Sequence, residues 1–253
     1  MTIDLNADIG ESFGHWSVGT DEALMPLLSS VNLACGFHAG DPHTIRQSVQ
    51  LALEHGVAIG AHPSFPDLVG FGRRDMQAQP EEVYADVLYQ VSALSGFAMA
   101  AGTTLHHVKA HGALYLKMHH DAATARAVAA SVAAFDRRLP LMVLAGPGGD
   151  LARQEAKRAG VSTILEAFPD RAYTANGHLA ARSQPGAVLH DPDEIARRAV
   201  EMVVEGTVTT INAERVPLTV QTLCLHGDNP GATEAARAVR AALDHAGVEI
   251  RSL

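Results

Sequence analysis

Ile3-Asp4-Leu5-Asn6-Ala7-Asp8-Ile9-Gly10-Glu11 opens as a short strand and runs directly into carboxylates. By the strand's period of two, Asn6 and Asp8 share one face, where the inside of a parallel barrel ordinarily carries branched apolar residues. That exchange of apolar for polar groups recurs along the chain. Further strands are expected near Val31–Cys35, Val57–Ala61, Leu105–Lys109, Leu141–Leu144, Ser162–Leu165 and Val220–Leu225. The second runs into His38 and Asp41, the third into His62 and Asp67, and the fourth into Lys109 and His111. Later ones lead to Glu166, Asp170, Arg171, His226 and Asp228.

Between the strands lie apolar residues spaced by three and four, which predicts helices over Glu22–Leu28, Thr44–Glu54, Glu81–Met99, Ala122–Arg138, Leu151–Ala159, Glu194–Glu205 and Ala232–Ala246. Alternating strands and helices predict a parallel α/β sheet. An open doubly wound sheet gathers ligand groups only at its switch point, whereas a barrel opens every strand end on one rim. The polar ends therefore favour a TIM-like barrel, incomplete at seven strands, and a single domain over residues 1–253.

The chain has 253 residues, 47% of them hydrophobic, enough apolar surface for a sizeable core. Lys and Arg number 19 against 28 Asp and Glu, and a net charge of -9 argues against a nucleic-acid partner. No apolar run approaches the ~20 residues of a membrane span. Cys35 and Cys224 sit in apolar runs, so buried thiols and a cytoplasmic location are expected.

Asp8 with Glu11 can act as acid and base or hold a cation. In Ala34-Cys35-Gly36-Phe37-His38-Ala39-Gly40-Asp41-Pro42, Asp41 reads as a helix N-cap, but a helix entrance does not require the imidazole of His38. His62, in Gly60-Ala61-His62-Pro63, follows the same logic. Asp8, His38 and His62 make a carboxylate-plus-histidine set suited to a transition metal, with Glu11 a further candidate, although no close H-x-x-H or C-x-x-C spacing supports it. Acid/base work and hydrogen bonding remain open for the same histidines. The loop Phe65–Arg74 has turn formers, two aromatics expected to be exposed, and the guanidinium pair Arg73 and Arg74, which fits either a lid over an anion or surface ion pairing.

Lys109 and His111 share a strand face, and a lysine aimed into a pocket costs desolvation unless an anion stands near, which points to Asp8 or a bound carboxylate or phosphate. His106, His107, His119 and His120 are expected at the surface. Gly146-Pro147-Gly148-Gly149-Asp150 precedes a helix but lacks the ending of a P-loop.

The ordered segments 4–11, 32–41, 60–63 and Leu225-His226-Gly227-Asp228, together with 70–74, 109–115, 166–173 and 182–187, resemble the LamB/YcsF family of 5-oxoprolinase A subunits. The resemblance runs from Ile3 to about Ala246. It implies a barrel akin to the glycoside hydrolase/deacetylase group and a part in opening L-5-oxoproline to L-glutamate, with ATP cleaved to ADP and phosphate. It also implies partner subunits B and C, with self-association left open. In that setting Asp8, Lys109 and Glu166 are the catalytic candidates, Glu166 as base. Asn6, His38, His62, Arg73, His111, Arg171 and His226 are the substrate-binding candidates, and Asp8 and Glu11 would hold Mg²⁺. The sequence departs from the family pattern with Ala110 and Ala181 for proline, Leu116 for asparagine and Pro147 for serine. Two rivals stay open: a metal-dependent amidohydrolase or deacetylase that needs no ATP, and a lactam-binding subunit without catalysis.

Overall fold

The computed structural model describes residues 1–227 and 231–253, so the expected contribution of Asp228 lies outside the described residues. Strands β1 (Thr2–Ile9), β2 (Ser30–Ala34), β3 (Ala58–His62), β4 (His107–Val108), β5 (Leu141–Leu144) and β6 (Thr163–Ala167) pair in order, each parallel to the next. A hairpin of β7 (Thr207–Thr209) and β8 (Arg215–Pro217) interrupts the alternation, and β9 (Thr222–Leu225) then pairs with β6 on one side and β1 on the other. That double pairing closes a parallel ring of seven strands among the described residues. The barrel is one strand short of eight, yet it has no open edge between first and last. A short β10 (Glu249–Ile250) pairs only with Thr2 and Ile3 of β1.

The helices are α1 (Asp21–Leu24), α2 (Pro42–Glu54), α3 (Pro80–Ala100), α4 (Gly112–Met118), α5 (Ala122–Asp136), α6 (Asp150–Ala159), α7 (Pro192–Val200) and α8 (Ala232–His245). Proline stands in the first turn of α2, α3 and α7, where its missing N–H is not needed. Asp41, Asp121 and Asp191 cap α2, α5 and α7 by accepting backbone N–H bonds. Along α3, Val83, Val87, Val91 and Leu94 form a buried stripe at helical spacing, each contributing about 1.5–3 kcal/mol by leaving water.

Two layers result. Leu5, Ala7, Ile9, Val31, Leu33, Ile59 and Ala61 are buried with the helix stripes in the apolar core. The alternate positions point inward, and there the barrel is polar. Asp4 accepts from Ser29, Ser30 and Thr222 hydroxyls at 2.6, 2.8 and 2.5 Å. One step toward the strand C-termini, the Asn6 amide donates to Thr222 Oγ1 (2.6 Å) and Glu166 Oε1 (3.2 Å), while Asn32 Nδ2 donates to Asn6 Oδ1 (2.7 Å). His107 Nε2 reaches Asn32 Oδ1 at 2.7 Å, from β4 across to β2. It passes over Gly60 of β3, where a Cβ would stand 2.0 Å from that ring nitrogen.

His107 is thus fully buried, and His119 is buried too, with Nδ1 donating to Tyr115 O and Nε2 accepting from Leu144 N. Both were expected at the surface; inside, the protein supplies partners for both ring nitrogens of His119 and for Nε2 of His107 in place of water. His106 is half-buried, and His120 is exposed, as expected.

Candidate active site

Above the polar layers, at the C-terminal end of the barrel, lies a cavity of about 420 Å³. Asp8, Glu11, His62, Lys109, His111 and His226 line its inner part. Arg73, Arg171 and Arg182 add three guanidinium groups, of which Arg73 and Arg182 are exposed, and Tyr115, Leu116, Phe168 and Leu179 supply an apolar wall. A larger groove of about 780 Å³ runs along α2, but of its charged groups, Glu22, Arg46 and Glu54 are exposed helix-surface residues and the half-buried Asp21 is taken up by Gly10 N–H. We place the chemistry in the smaller cavity, where buried titratable groups converge.

Lys109 follows the short β4 and is 2% exposed. Its ammonium lies 3.0 Å from Asp8 Oδ1, 2.8 Å from Glu166 Oε1 and 3.0 Å from Cys224 Sγ, with the Phe168 ring 5.2 Å away. Burial works to lower its pKa, but Asp8, Cys224 and Glu166 outweigh burial and hold it well above the usual lysine value. Asp8 shows the mirror image: burial favours the neutral acid, while His62 and Lys109 keep the carboxyl well below the usual range. A charged lysine and an ionised aspartate therefore face each other inside the fold.

Arg171 donates to the carbonyls of Ala187 (3.2 Å) and Ala180 (2.7 Å), and burial followed by the charge of Arg182 lowers its pKa to about 10. His226 Nδ1 is 2.6 Å from Asp170 Oδ2 and its ring stacks on Phe168.

Of the candidates named from sequence, Asp8, Glu11, His62, Lys109, Arg73, His111, Arg171 and His226 line the cavity. Asn6 and Glu166 do not. They lie in the layer beneath, where Glu166 is fully buried and accepts from Asn6 and Lys109. His38 sits behind the wall, stacked on His111 at 3.9 Å between ring centroids.

One oxygen or nitrogen from each of Glu11, His38, His62 and His111 lies within 4.8 Å of the others, an arrangement able to hold a metal ion. The ligand set read from sequence had Asp8 in place of His111. Asp8 Oδ1 is instead taken up by Lys109 and by Asn32 Nδ2 at 2.9 Å, with His62 Nε2 3.3 Å away.

The loop Phe65–Arg74 is exposed at Pro66, Val69, Arg73 and Arg74 and buried at Phe65, Asp67 and Gly72. Phe65 is 2% exposed, and Arg74 pairs with Asp67, which also accepts from Gly70 N–H at 2.9 Å. Only Arg73 of the two arginines reaches the cavity. The Gly146–Asp150 loop packs against Leu144 and Gly177 and is not part of the lining.

The sequence profile of the LamB/YcsF family matches residues 3–253. The chain belongs to the LamB/YcsF family. Among its relatives, a Thermus thermophilus protein named as the A subunit of 5-oxoprolinase is 58% identical over 252 residues, covering 100% of both chains. Another of that name, from Deinococcus radiodurans, is 53% identical over 253 residues, covering 100% of this chain and 98% of the relative. The crystal structure titled lactam utilization protein from Thermus thermophilus superposes with TM-score 0.94 at 57% identity over 100% of both chains. A family 4 carbohydrate esterase from Streptomyces lividans, 11% identical, matches with TM-score 0.51 over 98% of this chain and 91% of its own, and shares the fold alone.

Ala110, Leu116 and Ala181, three of the four positions where a departure from the family pattern was expected, lie on the cavity lining of this LamB/YcsF chain. Leu116 is 45% exposed. Reading the sequence missed Asn32 and Arg182. Asn32 was findable as a lone amide inside the apolar run Val31-Asn32-Leu33, whereas nothing local marks Arg182 as facing a cavity.

Proposed function

We propose that this chain, as one barrel unit over residues 1–253, is the A subunit of an ATP-dependent 5-oxoprolinase that opens L-5-oxoproline to L-glutamate with subunits B and C. The observation that carries the reading is the buried, charged Lys109 between Asp8 and Glu166 at the base of a small cavity with three arginines. The names of the close relatives support it from outside.

The substrate is a five-membered lactam bearing one carboxylate. Arg171, Arg73 and Arg182 are suited to that carboxylate or to phosphate, since a guanidinium fork matches either geometry. The ring fits the Tyr115, Leu116 and Phe168 wall, and the lactam oxygen faces Lys109. A lactam is a stable amide, so its oxygen takes the γ-phosphoryl group of ATP and ADP departs. Water then adds to the activated carbon, its proton passing to Asp8, while Lys109 offsets the charge developing on oxygen. The ring nitrogen takes up a proton and leaves as the amine. A second water hydrolyses the resulting acyl phosphate to glutamate and phosphate.

Glu166 acts in this scheme by holding Lys109, not as the base, because Lys109 and Asn6 occupy Oε1 beneath the cavity. Mg²⁺ accompanies the nucleotide. Asp8 is committed to Lys109 and Asn32, and Glu11 stands among imidazoles, a poor set for a cation that prefers oxygen.

The test is reconstitution, following phosphate and glutamate together with each subunit omitted in turn. This chain alone should release little of either, and the full set should yield both in equal amounts. Full turnover by this chain alone would overturn the shared-complex reading. Turnover without ATP would favour the amidohydrolase reading, for which the Glu11 and histidine cluster is the supporting observation.

A further inference from the structure

We infer that Glu11, His38, His62 and His111 form a binding site for one divalent transition cation of the zinc type, built into the inner wall of the cavity. The inference stands on the geometry of these four side chains and does not depend on the oxoprolinase reading.

Hydrogen bonding fixes two of the imidazoles. His62 Nδ1 lies 2.8 Å from Lys109 O, and His111 Nε2 lies 2.8 Å from Phe71 O. A carbonyl only accepts, so both of these nitrogens carry the proton, and in the neutral rings their partners, His62 Nε2 and His111 Nδ1, carry lone pairs. Those two lone pairs face each other across 3.0 Å. Two lone pairs at that distance repel unless a metal cation or a second proton lies between them, and Asp8 Oδ1 stands 3.3 Å from the same His62 nitrogen. Carbonyls gripping the far nitrogen are also the outer support that metal-bound histidines ordinarily have.

His38 adds an independent sign. It is 1% exposed, and neither of its ring nitrogens has a hydrogen-bond partner. An imidazole buried in that state is costly unless something outside the protein's own groups satisfies it. Its Nε2 lies 3.6 Å from Glu11 Oε1, and His111 Nδ1 lies 3.6 Å from the same oxygen. Four donors thus converge from the C-terminal ends of four strands and the loops that follow them.

The surrounding backbone is shaped to hold them. Phe71, whose carbonyl orients His111, has φ of 54°, a left-handed conformation costly for a bulky residue. At Gly72 a Cβ would stand 2.7 Å from His111 Cδ2 and 2.9 Å from His38 Cβ, so only glycine lets the loop press this closely on two of the donors.

Three imidazoles and one carboxylate suit zinc, cobalt or iron and not magnesium or calcium, which take oxygen ligands. Bound there, the cation supplies a Lewis acid beside Asp8.

The experiment uses the full chain, stripped with a chelator and checked by circular dichroism. Calorimetry with Zn²⁺ should give one site per chain, and Co²⁺ should give the visible bands of a four-coordinate nitrogen and oxygen set. His38→Ala and His111→Ala should weaken Zn²⁺ binding by more than ~100-fold, beyond the ~10- to 100-fold that losing an outer support costs. His226→Ala, outside the cluster, should bind as the parent does. A folded parent chain that takes up neither Zn²⁺ nor Co²⁺, or a folded His38→Ala chain that binds as tightly as the parent, overturns the inference. Neither readout involves turnover, so the outcome is separate from that of the reconstitution.

Discussion

Lys109 carries two obligations, one to the reaction and one to the fold. Replacing it with methionine keeps the stem and removes the charge, leaving Asp8 and Glu166 buried without a counterion. Breaking one partner of a buried pair costs ~3–5 kcal/mol, so Lys109→Met should lower the denaturation midpoint as well as the rate. Adding Glu166→Gln should recover part of the stability and none of the turnover; denaturant titration beside the coupled assay checks both. Asp8→Asn should differ, because an amide of equal volume still accepts from Lys109 and Asn32. Its circular dichroism should match the parent while coupled turnover falls by about 10²- to 10⁴-fold, the span of a lost proton-transfer group. Near-normal turnover would remove Asp8 from the chemistry. At this scale the sequence was readable wherever a polar residue ended an apolar run, as at Asp8, His62 and Lys109. It was unreadable where depth decides. Asn6, Glu166 and His107 look like their cavity-lining neighbours in one dimension, and only the ring of strands puts them a layer lower.

Secondary-structure elements depend on single residues at their joints. Gly60 is the clearest, since a methyl group there would overlap the His107 ring. Gly60→Ala should cost ~1–3 kcal/mol as an overpacked interior, more if His107 loses Asn32, and thermal unfolding would measure it; an unchanged midpoint would mean that the ring moves freely. Asp41 caps α2 and also accepts from Gly14 N–H at 2.8 Å. Asp41→Ala should cost ~1 kcal/mol at neutral pH. The bond from Gly14 and the cap bonds lower the Asp41 pKa from 3.8 to about 2. A carboxyl depressed in the folded state stabilises above its unfolded pKa, and that contribution disappears as pH falls through the folded one. The gap between parent and variant should therefore be full above pH ~5 and shrink as pH falls through ~2 toward ~1; a pH-independent gap would contradict the assignment. All seven barrel strands were legible from apolar runs. Helix α4, the β7–β8 hairpin and β10 were not, because their short spans carry too little periodicity to stand out.

At the scale of the molecule, the parallel alternation and the common rim could be read from the polar strand ends. Closure could not. It depends on β9 returning to β1 after the hairpin, a pairing set by contacts between opposite ends of the chain, such as Asn6 with Thr222, 216 residues apart in sequence. The LamB/YcsF match over residues 3–253 and the TM-score of 0.94 agree with that ring. Among the described residues, no helix is long and apolar enough to cross a membrane.

The layer in which Asn6 joins Glu166, Thr222 and Asn32, and Asn32 joins His107, links side chains from five of the seven strands. An ordinary greasy barrel can loosen at one seam while the remaining strands keep their neighbours. Here, peeling away any one of those five leaves polar groups without partners in a dry interior. The amide protons of β1, β2, β4, β6 and β9 should consequently trade with deuterium as a single cooperative unit, at the rate of whole-molecule opening.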